Sequence, residues 1–217
     1  MRRTARLRPG RVPEGLASRG PASRGPASKG PASKGLAAAC LAAFLAAWPG
    51  AARADEAAWA ALRADGAVAI LRHARAPGGG DPPGFRLGDC TTQRNLADEG
   101  RAQARRIGAA FRARGVAVGR VLSSRWCRAL ETARLAFGEA TREEPTLDSF
   151  FSDQAAAEPQ TRAVREILAG WRGSGALVLV THQVNVTALT GAVPAEGEVL
   201  VLRPGPGGAA VVGRLVP

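Results

Sequence analysis

Ala67-Val68-Ala69-Ile70-Leu71-Arg72-His73 decides how this chain is read. Five apolar residues in a row end in a cation and an imidazole. A run this short and this continuous is the pattern of a strand buried on both faces. The same form recurs far downstream, where Ala176-Leu177-Val178-Leu179-Val180 is followed by Thr181-His182. Between them, Val118 to Leu122 reads as a strand that runs into Ser123-Ser124-Arg125.

Helical periods fill the intervals. Leu96 to Arg114 carries Ala104, Ile107, Ala110 and Phe111 on one side and arginines on the other, with Gly115 to end it. Asp55 to Ala64, Cys127 to Phe137, Thr161 to Trp171 and Val184 to Leu189 read as further helices. Thr146 to Phe151 reads as a short strand, and Glu198 to Leu202 and Ala209 to Val216 as closing strands around a Pro-Gly turn. Ala76 to Asp89 is rich in Gly and Pro, a loop long enough to expect a function of it. Strands alternating with helices predict an α/β fold of three layers, a mainly parallel sheet with helices on both faces. Ligands of such sheets bind beyond the carboxyl ends of the strands.

Charge separates this body from what precedes it. Residues 1–54 hold ten Lys/Arg against the single acid Glu14, whereas Asp55 to Pro217 holds twenty Arg, no Lys and seventeen acids. The body is mildly basic with no dense basic run, which sets nucleic acid aside as a partner. The unit Gly-Pro-Ala-Ser-Arg/Lys repeats from Gly20 to Lys34 and has almost nothing apolar to bury, so it reads as disordered. Leu36 to Trp48 is uncharged but shorter than the about 20 residues that span a bilayer. Pro49-Gly50 and then Ala52-Arg53-Ala54 follow. Positive segment, short apolar stretch and small residues at a cleavage position form a secretory signal. The chain divides accordingly into 1–54, a disordered basic segment plus signal peptide, and 55–217, a single domain. The expected product is exported, periplasmic or secreted, with no stable membrane anchor after cleavage. A buried helix or an uncleaved anchor is the alternative reading of the apolar stretch. Cleavage after Ala54 leaves Cys90 and Cys127, which in an oxidising compartment either pair or stay as separate thiols.

The body has two histidines, His73 and His182, each just past a strand, and Arg72 and Arg125 stand at strand ends as well. If these strands are neighbours, the four groups converge. Guanidinium groups bind phosphate oxygens in pairs and stay charged. A neutral imidazole can attack phosphorus while those cations stabilise the charge that develops. Alone, a histidine after a strand is more often a satisfied polar residue; the repeated placement is what points to an anion site.

Four blocks carry a resemblance to a known family. They are Leu71-Arg72-His73-Ala74; Asn95 to Ala104, with Gly100 and Gln103-Ala104; Val121 to Ala133, a Ser-x-x-x-Arg-Ala-x-x-Thr-Ala pattern; and Val178 to His182. In this order they resemble the histidine phosphatase superfamily, the phosphoglycerate-mutase-like fold, over roughly residues 67–191. The resemblance implies that His73 is the nucleophile and forms a phosphohistidine. It implies that Arg72 and Arg125 hold phosphoryl oxygens, and that His182 completes the phosphate pocket. No metal and no cofactor is implied. The partner is a small phosphorylated substrate or a phosphoprotein.

The departures are equally specific. Ala74 replaces the usual Gly and is expected to crowd the phosphate loop. Ala97 replaces a Thr that would cap the helix. Where mutase-like members carry an acidic proton donor, Ser149 stands, with Asp148 beside it as candidate acid and Asp153 and Glu144 as others. Gln183 replaces the Asp that some members use after the second histidine. An absent acid would suit a leaving group that needs no proton, such as a phosphohistidine. Arg94 is either a substrate contact or a surface residue. The leading expectation is a phosphatase acting on a phosphate monoester or phosphoramidate. The alternative is a catalytically inactive phosphate-binding or interaction protein on the same fold. A basic surface-binding role for residues 1–35 is a third.

Overall fold

Two central strands, β1 (Val68–Arg72) and β4 (Ala176–Thr181), pair in parallel from Val68↔Leu177 to Arg72↔Thr181. Their apolar runs have no polar alternation because helices cover both of their faces. The computed structural model describes residues 49–205 and 208–217. The basic repeat and the apolar stretch to Trp48 lie outside the described residues. β2 (Val118–Ser123) lies on the other side of β4, and β3 (Arg142–Glu143) extends it, both in parallel. On the far side, β5 (Val199–Gly205) runs antiparallel to β1, and β6 (Gly208–Leu215) antiparallel to β5. The order is β3-β2-β4-β1-β5-β6. The sheet is thus mainly parallel, with an antiparallel hairpin at one edge.

Successive residues of the strands feed two separate cores. Ala69, Leu71, Val178, Val180, Val199 and Val201 pack under α1 (Pro49–Leu62), α2 (Asp98–Ala113) and α3 (Cys127–Phe137). Val68, Ile70, Leu177, Leu179, Leu200 and Leu202 pack under α4 (Ala157–Gly170) and α5 (Gln183–Thr190). The three expected layers are present. Among the described residues no helix is long and apolar enough to cross a membrane.

α2 buries Ala104, Ile107 and Phe111, with Asp98 and Glu99 at its positive end and Arg112 in its last turn. Trp59 and Phe137 meet Phe111 edge-on, at centroid distances of 5.4 and 5.1 Å. α2 and α3 approach closely at Gly108, where a Cβ would collide with the backbone carbonyl of Ala136.

Two expectations fail locally. Residues 146–151 do not form a strand. Pro145 opens a single 3-10 turn through Leu147, because it lacks a ladder N–H and the Glu144 side chain accepts from Thr146 N at 3.1 Å. The helix expected from Asp55 begins at Pro49, a residue well suited to a first helical position.

Gly108→Ala should destabilise the domain by about 1–3 kcal/mol through backbone displacement. Gly170, at the end of α4 with nothing within 4 Å of an added Cβ, should tolerate Ala with no loss. Urea midpoints of the two variants measure the contrast.

Candidate active site

The β1–β4 register ends at Arg72↔Thr181, so His73 and His182 leave the sheet at the same level. His73 N donates to Thr181 O at 2.9 Å, and on the other side of β4 Ser124 N donates to Val180 O at 2.9 Å. Adjacent carboxyl ends of β1, β4 and β2 therefore do bring the two histidines together, with ring centroids 5.4 Å apart.

The His73 ring is fixed by Ala74. Its Nδ1 lies 2.8 Å from the Ala74 carbonyl. A carbonyl only accepts, so Nδ1 carries the hydrogen and Nε2 keeps a free lone pair. Burial pushes the imidazole down; the Ala74 contact resists, and Arg128, Arg94 and Arg72 repel a proton. The result falls from 6.5 to about 3. His182 is likewise pushed well down by burial, then by His73 and the same arginines. Its Nε2 lies 2.8 Å from Ser124 Oγ, while its Nδ1 is buried with no partner among the described residues.

Both rings line a cavity of about 600 Å³, and so do Arg72, Arg94 and Arg128. Arg72 reaches Gln183 Oε1, the Pro194 carbonyl and Glu196 Oε1 at 3.3–3.5 Å. Arg94 is not a surface residue: its side chain is 14% exposed and donates to the Gly80 and Ala76 carbonyls. Arg128, 3% exposed on the first turn of α3, places both terminal nitrogens on Asp81, at 2.6 and 3.1 Å.

Arg125 does not take the expected place. Its Nε and Nη2 lie 2.8 and 2.5 Å from Asp148 Oδ2, its backbone N donates to Oδ1, and it does not line the cavity. A residue nearest the end of β2 can still turn away, whereas one helical turn later the side chain points back over the sheet end. The spacing held the signal: counted from Ser124, the Ser-x-x-x-Arg-Ala pattern falls on Arg128-Ala129. Asp148 is corrected with it. Buried and saturated by Arg125 and Ser124, it stays out of the cavity, as do Asp153 and Glu144. Ser149 does line the cavity. So does Asp81, which carries no periodic signal in its Gly-Pro loop.

The remaining pattern residues hold the segment after His73. Thr132 Oγ1 accepts from Ala74 N and donates to Arg128 O, at 3.0 and 2.7 Å. Gln103 accepts from Arg75 N and donates to Glu196 O, at 3.0 and 2.7 Å. Gly100 is required by close approach, since a Cβ there would strike the Arg75 carbonyl. The Ala74 methyl does not crowd the cavity; it packs with Ala76, Leu96 and Ala104. Cys90 and Cys127 form a disulfide that ties the loop to the start of α3. Phe85 stacks on Trp126 at 5.0 Å, giving the cavity an aromatic wall.

Among the described residues no group of three or more His, Cys, Asp or Glu side chains could hold a metal ion. A larger concavity of about 740 Å³ lies at the amino ends of the strands, lined by Arg162, Arg165 and Trp171. Its described lining includes no histidine, serine, threonine or cysteine.

A family model described as histidine phosphatase superfamily (branch 1) matches residues 68–156. No curated protein sequence matches the chain significantly. Among solved structures, open reading frame Rv3214 from Mycobacterium tuberculosis is 15% identical. The match covers 67% of this chain and 94% of that one at a TM-score of 0.50, a likeness of fold. The protein histidine phosphatase SixA complexed with tungstate is 17% identical over 70% of this chain and 97% of its own, at 0.49. A phosphoserine phosphatase mutant from Entamoeba histolytica is 13% identical over 68% and 95%, at 0.48. The matched segment runs from β1 through Asp81, Arg94, Gln103 and Arg128, and over it the chain is similar to the histidine phosphatase superfamily.

Proposed function

We propose that this domain is a phosphatase that hydrolyses a phosphate monoester or phosphoramidate through a phosphohistidine on His73. The family-model match over residues 68–156 supports phosphatase activity in general. The observation that carries the finer reading is the His73 ring: neutral, buried, hydrogen-bonded through Nδ1, with its Nε2 lone pair in a cavity shared with three arginines.

Nε2 attacks phosphorus opposite the leaving group. Arg72, Arg94 and Arg128 neutralise the phosphoryl oxygens as the bond to the leaving group lengthens. Ser124 Oγ has one hydrogen to give, 2.8 Å from His182 Nε2 and 3.3 Å from Asp148 Oδ1. When it goes to Nε2, the unpartnered Nδ1 carries an N–H and binds a phosphoryl oxygen. The Asp148 carboxylate then accepts from Arg125 alone and does not donate a proton to substrate. Water finally attacks the phosphohistidine and restores the ring. An inactive binding protein would have no use for a nucleophile so oriented.

Export remains part of the proposal. A disulfide between Cys90 and Cys127 supports it, because such bonds persist in oxidising compartments. N-terminal sequencing of the exported form should find Asp55 first; a retained basic segment would favour surface binding by residues 1–35.

Brief mixing with p-nitrophenyl phosphate, followed by mass spectrometry, should find a phosphoryl adduct on His73, and His73→Ala should reduce turnover to background. Arg128→Ala should lower kcat about 100-fold or more, and Arg125→Ala should lower stability more than kcat. Turnover unaffected in His73→Ala would remove the reading.

The pH dependence follows from the depressed His73. With a folded value of about 3 against 6.5, the unfolded chain binds the proton first. Stability is therefore fullest above 6.5, is lost as pH falls toward about 3, and levels off below that. The urea midpoint should drop between about pH 7 and about pH 4.5, and drop less in His73→Asn. Over the same range the nucleophile itself should not titrate in kcat/KM.

A further inference from the structure

We infer that Asp81 is the general acid of this site, and that substrate docking on Arg128 is what arms it. The inference rests on the phosphatase reading above. The position expected to donate a proton is filled by Ser149, and Asp148 is engaged by Arg125 and Ser124 outside the cavity. Asp81 is the one carboxylate among the described residues that lines the cavity.

Its placement fits the task. His73 stands at the strand end, and Asp81 comes from the Gly78–Phe85 segment of the covering loop, with Gly78 and Gly80 at φ of 91° and 71°. In-line attack puts the leaving group on the side of phosphorus away from His73, within the cavity that the loop residues also line.

In the unliganded site Asp81 is a poor acid. It accepts from both terminal nitrogens of Arg128, from Trp126 Nε1 at 3.0 Å and from Arg94 N at 3.2 Å. Burial pushes its carboxyl up, but the Arg128 contacts, with Trp126 and Arg94, outweigh burial and hold it below the usual range. A phosphoryl group needs the same Arg128 nitrogens. As it takes them, Asp81 loses its strongest donors and gains a dianion as neighbour, and both changes favour protonation. The proton comes from solvent as substrate docks.

The step then balances. The His73 Nε2 lone pair forms the bond to phosphorus, the bond from phosphorus to the leaving oxygen breaks, and the Asp81 proton passes to that oxygen, releasing a neutral alcohol. In the second half, the Asp81 carboxylate takes a proton from the attacking water while the electron pair of the N–P bond returns to His73. Arg128 is thus shared between holding Asp81 ionised in the empty site and holding phosphate in the occupied one.

The test compares leaving groups. Wild type, Asp81→Asn and Asp81→Glu are assayed with glycerol phosphate, whose alkoxide must be protonated, and with p-nitrophenyl phosphate, whose phenolate need not be. Asp81→Asn should lose about 100-fold or more in kcat/KM on glycerol phosphate and less than about tenfold on p-nitrophenyl phosphate. Asp81→Glu should recover part of the glycerol phosphate rate. Equal losses on both esters would overturn the inference and leave Asp81 as a support for Arg128. Wild type active on p-nitrophenyl phosphate alone would overturn it too, with the phosphatase reading intact; wild type inactive on both would end that reading as well. If Asp81→Asn does not fold, wild type on a series of substituted phenyl and alkyl phosphates decides. A shallow dependence of rate on leaving-group basicity supports an acid at this site, and a steep one excludes it.

Discussion

The hydrogen bond from His73 N to the Thr181 carbonyl is the rung on which the site depends. It is the last step of the β1–β4 ladder, and it sets the two histidines level. A shift of one residue would send Arg72 and His73 to opposite faces of the sheet. That register is held by the buried apolar runs on both strands, which the helices of both layers cover. Beyond the rung there is no ladder, and side chains take over. Thr132 and Gln103 hold the Ala74 and Arg75 amides, and Gly100 lets α2 come against the Arg75 carbonyl. The residues that give the family its pattern are thus largely those that stop the chain from moving just after the nucleophile.

Electrostatics explains why the neutral imidazoles and the paired cations belong together. Three guanidinium groups facing one cavity repel a proton from both rings, which suits a nucleophile but would leave costly unpaired charge in an empty site. Glu196 beside Arg72 and Asp81 on Arg128 reduce that cost. Glu196 sits 3.5 Å from its partner, whereas Asp81 takes the Arg128 fork with two contacts. The carboxylate offers Arg128 the same two-point geometry that a phosphoryl group offers. The empty site therefore already has the charge arrangement of the occupied one, and substrate exchanges for a group that is present rather than entering an unbalanced pocket.

Most of the sheet was legible because burial on both faces leaves an unmistakable apolar run, and α3 ends at Phe137 as expected, with Gly138 as its cap. The histidines were legible for the same reason, since they end those runs. What sequence could not rank was direction. Arg125 and Arg128 are both near the end of β2, and only the turn of α3 decides which guanidinium faces the cavity. Asp148 looked available because a strand at 146–151 would have exposed one face, and the Pro145 turn removes that choice. Asp81 had no signal at all: in a Gly-Pro loop position along the chain says nothing about position in space.

That loop is where precision would be hardest to keep. It has no ladder and no helical ladder of its own, yet it supplies Asp81 and the aromatic wall of Phe85. The Cys90–Cys127 bond closes a span of 37 residues, worth about 4 kcal/mol against the unfolded chain in the loop-entropy picture. Its position is more telling than its energy. One end lies at the base of the loop, and the other is the residue before Arg128. Gln93 adds a second clamp at the same joint, accepting from Cys127 N at 3.0 Å while donating to the Arg86 carbonyl. The staple thus fixes the distance between the loop's base and the arginine, while Arg94 and Trp126 hold Gly80 and Asp81 at the tip. Because the Arg94 and Trp126 contacts do not involve Arg128, a loop pinned at both base and tip keeps Asp81 in the cavity when a phosphoryl group takes the arginine.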